Sequence, residues 1–591
     1  MTLLKETDTR RSRILSWLLI AFLLVWRIPF VDRGIDYLDT GFSLVNYKNV
    51  FNGAGIKGIG TFLTALIGGW IWQLLPSHHL LVYRILHLVL NAATWLAAIV
   101  YFKKYVPRNL LALAILIRAF SSKGGEMLFS YYPLTQLVLL LSIICLIEGT
   151  FRENTWLLLL SGVLCGINIF VRLPNLLFCS MVIAVAWHGI FGKHPRWLLR
   201  CLWYGLGVLL GVALVLPLVV KWLGWSGLLS SFSGFAKMAV GTASSAIRNP
   251  LGIRETSGHT IFAVIRTLGI QGFYTMIAVV PYFVLFYGLR WVLRGIVGFL
   301  DGSARMVKAA TVLAALVSAI LLRVQMARVI GYLPGLFAML VSLILVFRLS
   351  KRDTKKSVLF GLCLLLSCCA VFGSDLGFSR ISMLNEYAIA TLIVGILYLC
   401  ETGEDLIKIG KLRVTADFCR RAGYCLLACG IVIGTIRLPY TYSDANYPAL
   451  TAPVDEEIVE FNGMKTSPQR AAQLEEFYEL MRQPELQDKE TVIFGYFPLG
   501  FAFTDTTNYF ASIQPCIDWP SNSVEKLLRV IDEKEQQGVV PVIVVSHVNQ
   551  NYLGQDFFTT EAKMAVLNYM LLLHPYEIYS DTENYTVYLV R

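Results

Sequence analysis

Thirteen long apolar stretches recur along this chain, and nothing constrains its fold more. Crossing the hydrocarbon core of a bilayer takes about 20 apolar residues in helical form, because only a helix or a closed barrel satisfies every backbone polar group there. The stretches lie near 14–31, 80–101, 109–121, 133–149, 156–172, 174–191, 200–222, 270–290, 309–323, 331–348, 357–373, 386–400 and 422–438. Several are short for a span, as segments buried among neighbours are. Only 15% of the 591 residues are charged, against about 25% in soluble proteins. The expected fold is an all-α polytopic membrane domain of about 13 transmembrane helices over 1–438, followed by a soluble α/β domain over 439–591.

Charge sets the expected orientation. From Val454 onward there are nine Lys/Arg against 21 Asp/Glu, a net −12, so the rest of the chain carries +24 and the whole +12. Every second loop of the membrane part is basic: Lys103, Lys104 and Arg108; Lys193, Arg196 and Arg200; Lys351, Arg352, Lys355 and Lys356; Lys408, Lys411, Arg413, Arg420 and Arg421. Together with Arg10, Arg11 and Arg13 these place the N-terminus in the cytoplasm of a multi-pass cell-membrane protein. An odd span count then puts the acidic tail outside. The basic excess belongs to these loops and is no nucleic-acid footprint. No small-residue cleavage site follows the first apolar run, which is read as span one.

Gly60 to Leu75 is apolar enough to span, but counting it would invert the basic loops. It is read as a helix lying on the outer surface or re-entering from it. Long outer loops then cover 32–79 and 222–266. In the tail, Pro468 to Met481 reads as a helix, Glu490 to Phe497 and Val539 to Val548 as strands, and Tyr576 to Val590 as a hairpin turning at 581–584. Eleven of the 12 cysteines lie in or beside apolar segments. Their spacing fits no zinc site and leaves only Cys516 in the tail.

The sharpest chemical feature follows span one: Asp32-Arg-Gly-Ile-Asp36-Tyr-Leu-Asp39-Thr-Gly-Phe. If the helix of span one continues, Asp32, Asp36 and Asp39 stand at i, i+4 and i+7 on one face. Three carboxylates at a membrane surface repel one another unless a proton, a cation or an arginine uses them. A solvated loop with Asp caps is the plain alternative. No cofactor is demanded, and a divalent cation is one of the uses left open.

An N-terminal span, an acidic outer loop, a surface helix and a span opening Leu81-Val-Tyr-Arg84-Ile-Leu resemble the GT-C superfamily of glycosyltransferases. The protein O-mannosyltransferases and the lipid A aminoarabinose transferases are the nearest in layout. That resemblance implies a sugar donor linked to polyprenyl phosphate, and a glycan, lipid or protein acceptor beyond the membrane. It also implies inversion at C1, with a first-loop carboxylate as general base. Asp39 takes that role and Asp36 the alternate or orienting one; the Asp-Glu pair usual in those families is absent, and these two spaced aspartates stand in its place.

A departing phosphate needs cationic donors. The candidates are Arg172 in Val-Arg-Leu-Pro-Asn, Arg380 beside Asp375, Arg254 and His259 in one Gly/Ser-rich loop, and Lys57. Arg172 and Arg380 have plain alternatives in snorkelling and a local ion pair. Arg84 is expected to pair with the loop carboxylates or to touch substrate. Tyr131 and Tyr132 are expected to stack on sugar or lie in the interfacial belt. Rival readings are a transporter or flippase of lipid-linked saccharide, and a non-enzymatic envelope protein whose outer domain binds a partner.

Overall fold

The computed structural model describes residues 10–51, 60–121, 127–239, 247–248, 254–255, 280–281, 284–299, 303–321, 333–372, 386–401, 407–409, 412–415, 444–445, 447–495, 497–510, 524–548 and 561–590. Helices occupy most of the apolar stretches: α1 Arg10–Val25, α4 His79–Phe102, α5 Arg108–Ser121, α6 Tyr131–Phe151, α7 Thr155–Val171, α8 Val182–Phe191 and α9 Trp197–Ala239, with α2 Asp39–Asn49 and α3 Phe62–Leu74 between the first two. Further helices run Ala304–Leu321, Leu333–Ser350, Thr354–Phe372 and Glu386–Glu401. Five segments are long and apolar enough to cross a membrane: Arg13–Phe30, His79–Phe102, Tyr131–Phe151, Leu173–Phe191 and Trp197–Leu229. The expected stretch 422–438 lies outside the described residues, and thirteen crossings are not counted in the structure.

The helices bury one side against each other and expose apolar side chains on the other, among them Trp17, Leu18, Leu209 and Leu214. Water would penalise such surfaces, whereas a bilayer does not. Two helix contacts depend on something other than apolar burial. Ser142 on α6 and Ser161 on α7 each donate to the other's carbonyl oxygen at 2.8 Å. On the next face of α7, Gly162 and Gly166 meet Gly207 and Gly211 of α9, so close that a Cβ on Gly162 would lie 2.1 Å from Tyr204 O. Small residues four apart let helix backbones touch, which in lipid replaces the missing hydrophobic drive.

The helix of span one does not continue through the aspartates. The helix α1 stops at Val25, a short 3-10 turn covers Ile28–Phe30, and Gly34 adopts φ +81°. A helical repeat through Asp32, Asp36 and Asp39 is therefore absent, and the shared carboxylate face with it. Gly34 tolerates a conformation that a Cβ would penalise, which lets the chain reverse before α2. α3, read from sequence as a surface or re-entrant helix, packs between α2 and α4. Gly68 and Gly69 admit Tyr47 of α2 and Val50 just beyond its end, and the Tyr83 hydroxyl of α4 donates to Gly68 O at 2.6 Å.

The C-terminal region is a five-stranded sheet ordered Tyr576–Asp581, Tyr585–Val590, Val542–Ser546, Glu490–Phe494, Thr507–Asn508. The hairpin is antiparallel, and Val542–Ser546 and Glu490–Phe494 pair in parallel. Those two strands are buried almost throughout, with apolar stretches Val492–Phe494 and Val542–Val545, because helices cover both faces of the sheet. Pro468–Met481 lies on one face, where Phe477 packs with Ile493, Val544 and Val587. Val524–Gln536 and Glu561–Leu573 lie on the other, where Leu527, Ile531 and Val566 pack with Val492 and Ile543. The Phe477 face does not end at the domain. Its cluster continues through Phe497 and Phe503 into Ile35, Tyr37, Leu44 and Tyr47 of the first loop and α2.

Candidate active site

The segment Asp32–Thr40 is held from two sides. From the membrane bundle, the buried Arg84 guanidinium donates to Val31 O at 3.2 Å, Arg33 O at 2.8 Å and Gly34 O. It grips the loop through carbonyl oxygens, where the sequence predicts pairing with the loop carboxylates or contact with substrate. Three carbonyls converging on one cation give a charge-assisted set stronger than neutral bonds. From the C-terminal domain, Lys465 N donates to Asp32 O and Gly34 N to Lys465 O, both at 2.7 Å, a parallel bridge between residues 33 and 465.

The three aspartates take separate roles. Asp32 lies 3.8 Å from Arg33 and 4.0 Å from Lys465, half-exposed, where ion pairs contribute little. Asp36 is 3% exposed, and its Oδ2 accepts Thr40 N at 2.7 Å. A carboxylate at that point satisfies an otherwise orphaned helix donor and meets the positive end of the α2 dipole. Asp39 is the first residue of α2 and is half-buried. Two residues on, a Cβ at Gly41 would lie 2.5 Å from Leu499 N, so α2 starts directly against the C-terminal domain. Lys48 extends that contact, donating to Thr504 O at 2.7 Å. Burial lowers the Lys48 ammonium pKa and raises that of the nearby Glu460 carboxyl.

Arg172 and Tyr131 come together. Arg172 follows the last turn of α7 in extended backbone, and its guanidinium lies 5.5 Å from the Tyr131 ring centroid. Tyr132 packs beside Tyr131, ring centroids 4.2 Å apart. Beneath them Asn175 donates to Thr135 Oγ1 at 2.9 Å and to Asn168 O at 3.0 Å. The corner joins the first loop through α3, where Thr64 Oγ1 donates to Val171 O at 3.1 Å. Arg172 and Tyr131 thus form one corner of the fold.

Lys57, His259 and Arg380 fall outside the described residues. Arg254 belongs to a two-residue strand, Arg254–Glu255, paired with Ile247–Arg248, and its side chain falls outside them too. Among the described residues, no three His, Cys, Asp or Glu side chains are grouped to hold a metal ion. The divalent cation left open by the loop carboxylates acquires no ligand set from them.

Sequence reasoning missed two polar clusters. In the first, Asp444 accepts Ile35 N at 2.9 Å and Ser467 Oγ at 3.0 Å, with Arg470 Nε 3.5 Å away. No local pattern in Tyr-Ser-Asp444-Ala marks it, because its partners are remote in sequence. The second lies inside the bundle: Arg27 Nη1 meets His87 Nε2 at 3.3 Å, and Trp95 Nε1 donates to Glu386 Oε2 at 3.1 Å. Ionisable residues in or at the ends of apolar stretches carried that signal.

No protein-family model and no curated protein matches the sequence. Among solved structures, the chain is similar to the oligosaccharyltransferase of Archaeoglobus fulgidus in complex with zinc and sulfate. The identity is 11%, the TM-score 0.45, and the match covers 90% of this chain and 68% of that one. The same enzyme tethered by a disulfide to an acceptor peptide containing the NVT sequon gives 11% identity and a TM-score of 0.47, covering 91% and 69%. Superposition at that level assigns no role to any residue.

Proposed function

We propose that the chain is a GT-C-type membrane glycosyltransferase. It moves a sugar from a polyprenyl-phosphate carrier to an extracytoplasmic acceptor and inverts the anomeric centre. The observation that carries this reading is the placement of Asp39: a half-buried carboxylate on the first turn of a helix wedged between an apolar bundle and a folded soluble domain. A catalytic carboxylate needs a rigid mount beside the bilayer surface where its lipid-linked substrate resides. Asp39 is assigned as the base, and Asp36, whose Oδ2 accepts Thr40 N, has the task of fixing the helix start.

In this mechanism Asp39 takes the proton of the acceptor hydroxyl as that oxygen attacks C1. The C1–O bond to the carrier phosphate breaks through an oxocarbenium-like state, and the phosphate leaves with the bonding pair. Cations offset the charge growing on it. Arg172 is assigned to the carrier phosphate, its plane steadied by Tyr131, with Arg254, Arg380, His259 and Lys57 as further donors. The C-terminal domain lies on the extracytoplasmic side, where the acceptor arrives.

The test is release of polyprenyl phosphate, the product common to every such transfer. Purified protein in lipid nanodiscs is given a panel of undecaprenyl-phosphate hexoses and pentoses with a membrane extract as acceptor source. Asp39→Asn should retain donor binding and lose release by about 10²–10⁴-fold, the usual worth of a general base. Asp36→Asn should show a milder loss. Donor bound but moved intact across the bilayer would support the flippase reading instead. Normal release by Asp39→Asn would remove the assignment.

A further inference from the structure

Asp444 and Arg470 lie outside the chemistry proposed above, yet both reach the loop that carries it. The Asp444 side chain is 1% exposed. A buried carboxylate is costly unless fully paired, and here donors surround it: Ile35 N at 2.9 Å, Ala445 N at 2.8 Å, Ser467 Oγ at 3.0 Å, the Thr466 hydroxyl, and Arg470 Nε at 3.5 Å. Arg470 also donates to Ile35 O, and its guanidinium lies 4.4 Å from the Tyr37 ring centroid. Both backbone polar groups of Ile35 are therefore taken by one ion pair of the C-terminal region. Tyr37 is held equally closely, its hydroxyl 3.1 Å from Gln473 Oε1 and its carbonyl accepting Leu499 N at 3.2 Å.

Asp36 sits between those two anchored residues, and through Thr40 N it fixes the turn that presents Asp39. We propose that Asp444 and Arg470 are positioning residues for the loop carboxylates, so that the C-terminal domain is a working part of the catalytic site. The kinetic side of this inference rests on the glycosyltransferase reading; the structural side does not. A guanidinium serves a carboxylate, a carbonyl and an aromatic face at once because its donors are spread over a plane. A lysine ammonium at the same place holds the charge but not that geometry.

The experiment uses the full-length protein in nanodiscs, with Arg470→Lys and Asp444→Asn as conservative variants and Leu527→Ala as a control. Leu527 lies in the core on the other side of the sheet, so its loss loosens the domain without touching the loop. Hydrogen exchange is read over residues 34–41 and over the strand Val542–Ser546, and turnover over the donor that the wild type uses. Both positional variants should speed exchange in 34–41 by about tenfold or more while the strand keeps its protection. Their kcat should fall by about 10–100-fold with donor KM within about threefold, because a small misplacement of a base impairs the chemical step rather than binding. Leu527→Ala should leave loop exchange and kcat near wild type.

Unchanged exchange in 34–41 for both positional variants overturns the proposal. So does an equal opening of the loop by Leu527→Ala, or a loss of turnover carried by KM alone. If the wild type turns over no donor, the glycosyltransferase reading fails by itself, and the exchange comparison still decides whether Asp444 and Arg470 hold the loop.

Discussion

The contact of α7 with α9 offers a test in which two alanine substitutions should act in opposite directions. A Cβ at Gly166 would lie 2.3 Å from Val208 O, and ordinary contact begins at 3.4 Å, so the helices must part by about 1.1 Å or bend. Overpacking of that kind costs about 1–3 kcal/mol, offset by roughly 0.5–1 kcal/mol because alanine orders a helix more cheaply than glycine. A net loss of up to about 2.5 kcal/mol follows for Gly166→Ala. Gly205, also in α9, has open space at its Cβ position. There the propensity term acts alone, and Gly205→Ala should be neutral or up to about 1 kcal/mol stabilising. Equilibrium unfolding in mixed micelles can be followed by tryptophan fluorescence, since Trp156 on α7 and Trp203 on α9 pack across this contact with ring centroids 6.0 Å apart. A Gly166→Ala protein as stable as Gly205→Ala would refute the close approach of the two backbones.

Two further outcomes follow from the site and its surroundings. Arg172→Ala should raise the donor KM by about 10–100-fold, the worth of one charge-assisted bond to phosphate, with Arg172→Lys restoring only part of it; wild-type donor saturation in Arg172→Ala removes it from the site. Burial raises the Glu460 carboxyl pKa above its ordinary 4.5. Between 4.5 and that raised value the folded protein holds a proton the unfolded chain releases, so this group's contribution to stability declines as pH rises. Thermal unfolding should show Glu460→Gln gaining on wild type as pH climbs through that window and levelling off above it; a constant difference would exclude the effect.

The helices were legible because a bilayer imposes one solution on each long apolar run, and the two central strands because coverage on both faces makes most of each strand apolar. The Pro468–Met481 helix was read with the bounds it has, its proline at the first position agreeing with its amphipathic repeat. The loop was not legible in the same way. Spacing puts Asp32, Asp36 and Asp39 on one helical face only if span one continues, and the turn at Gly34 and the pairing of residues 33 and 465 outweigh that continuation. Asp444 was invisible for a related reason. Its carboxylate answers a backbone amide 409 positions earlier, and no local pattern carries such a distance. The glycine pairs on α7 and α9 were different: their four-residue spacing stood in the sequence, and its meaning came only with the facing helix.

That long separation sets a timetable for the chain as it is made. Arg33 donates to Leu450 O across 417 residues, and Gly34 and Ile35 find their partners at Lys465 and Asp444. A ribosome adding about 5–20 residues per second needs roughly 20–80 s to travel from the loop to those partners. During that interval Arg84, made early, can already grip the loop, but the side facing the C-terminal domain has nothing to rest on. Synthesis of the bundle therefore runs ahead of the finished loop, which gains its second anchor only when residues 444–465 have folded back onto it.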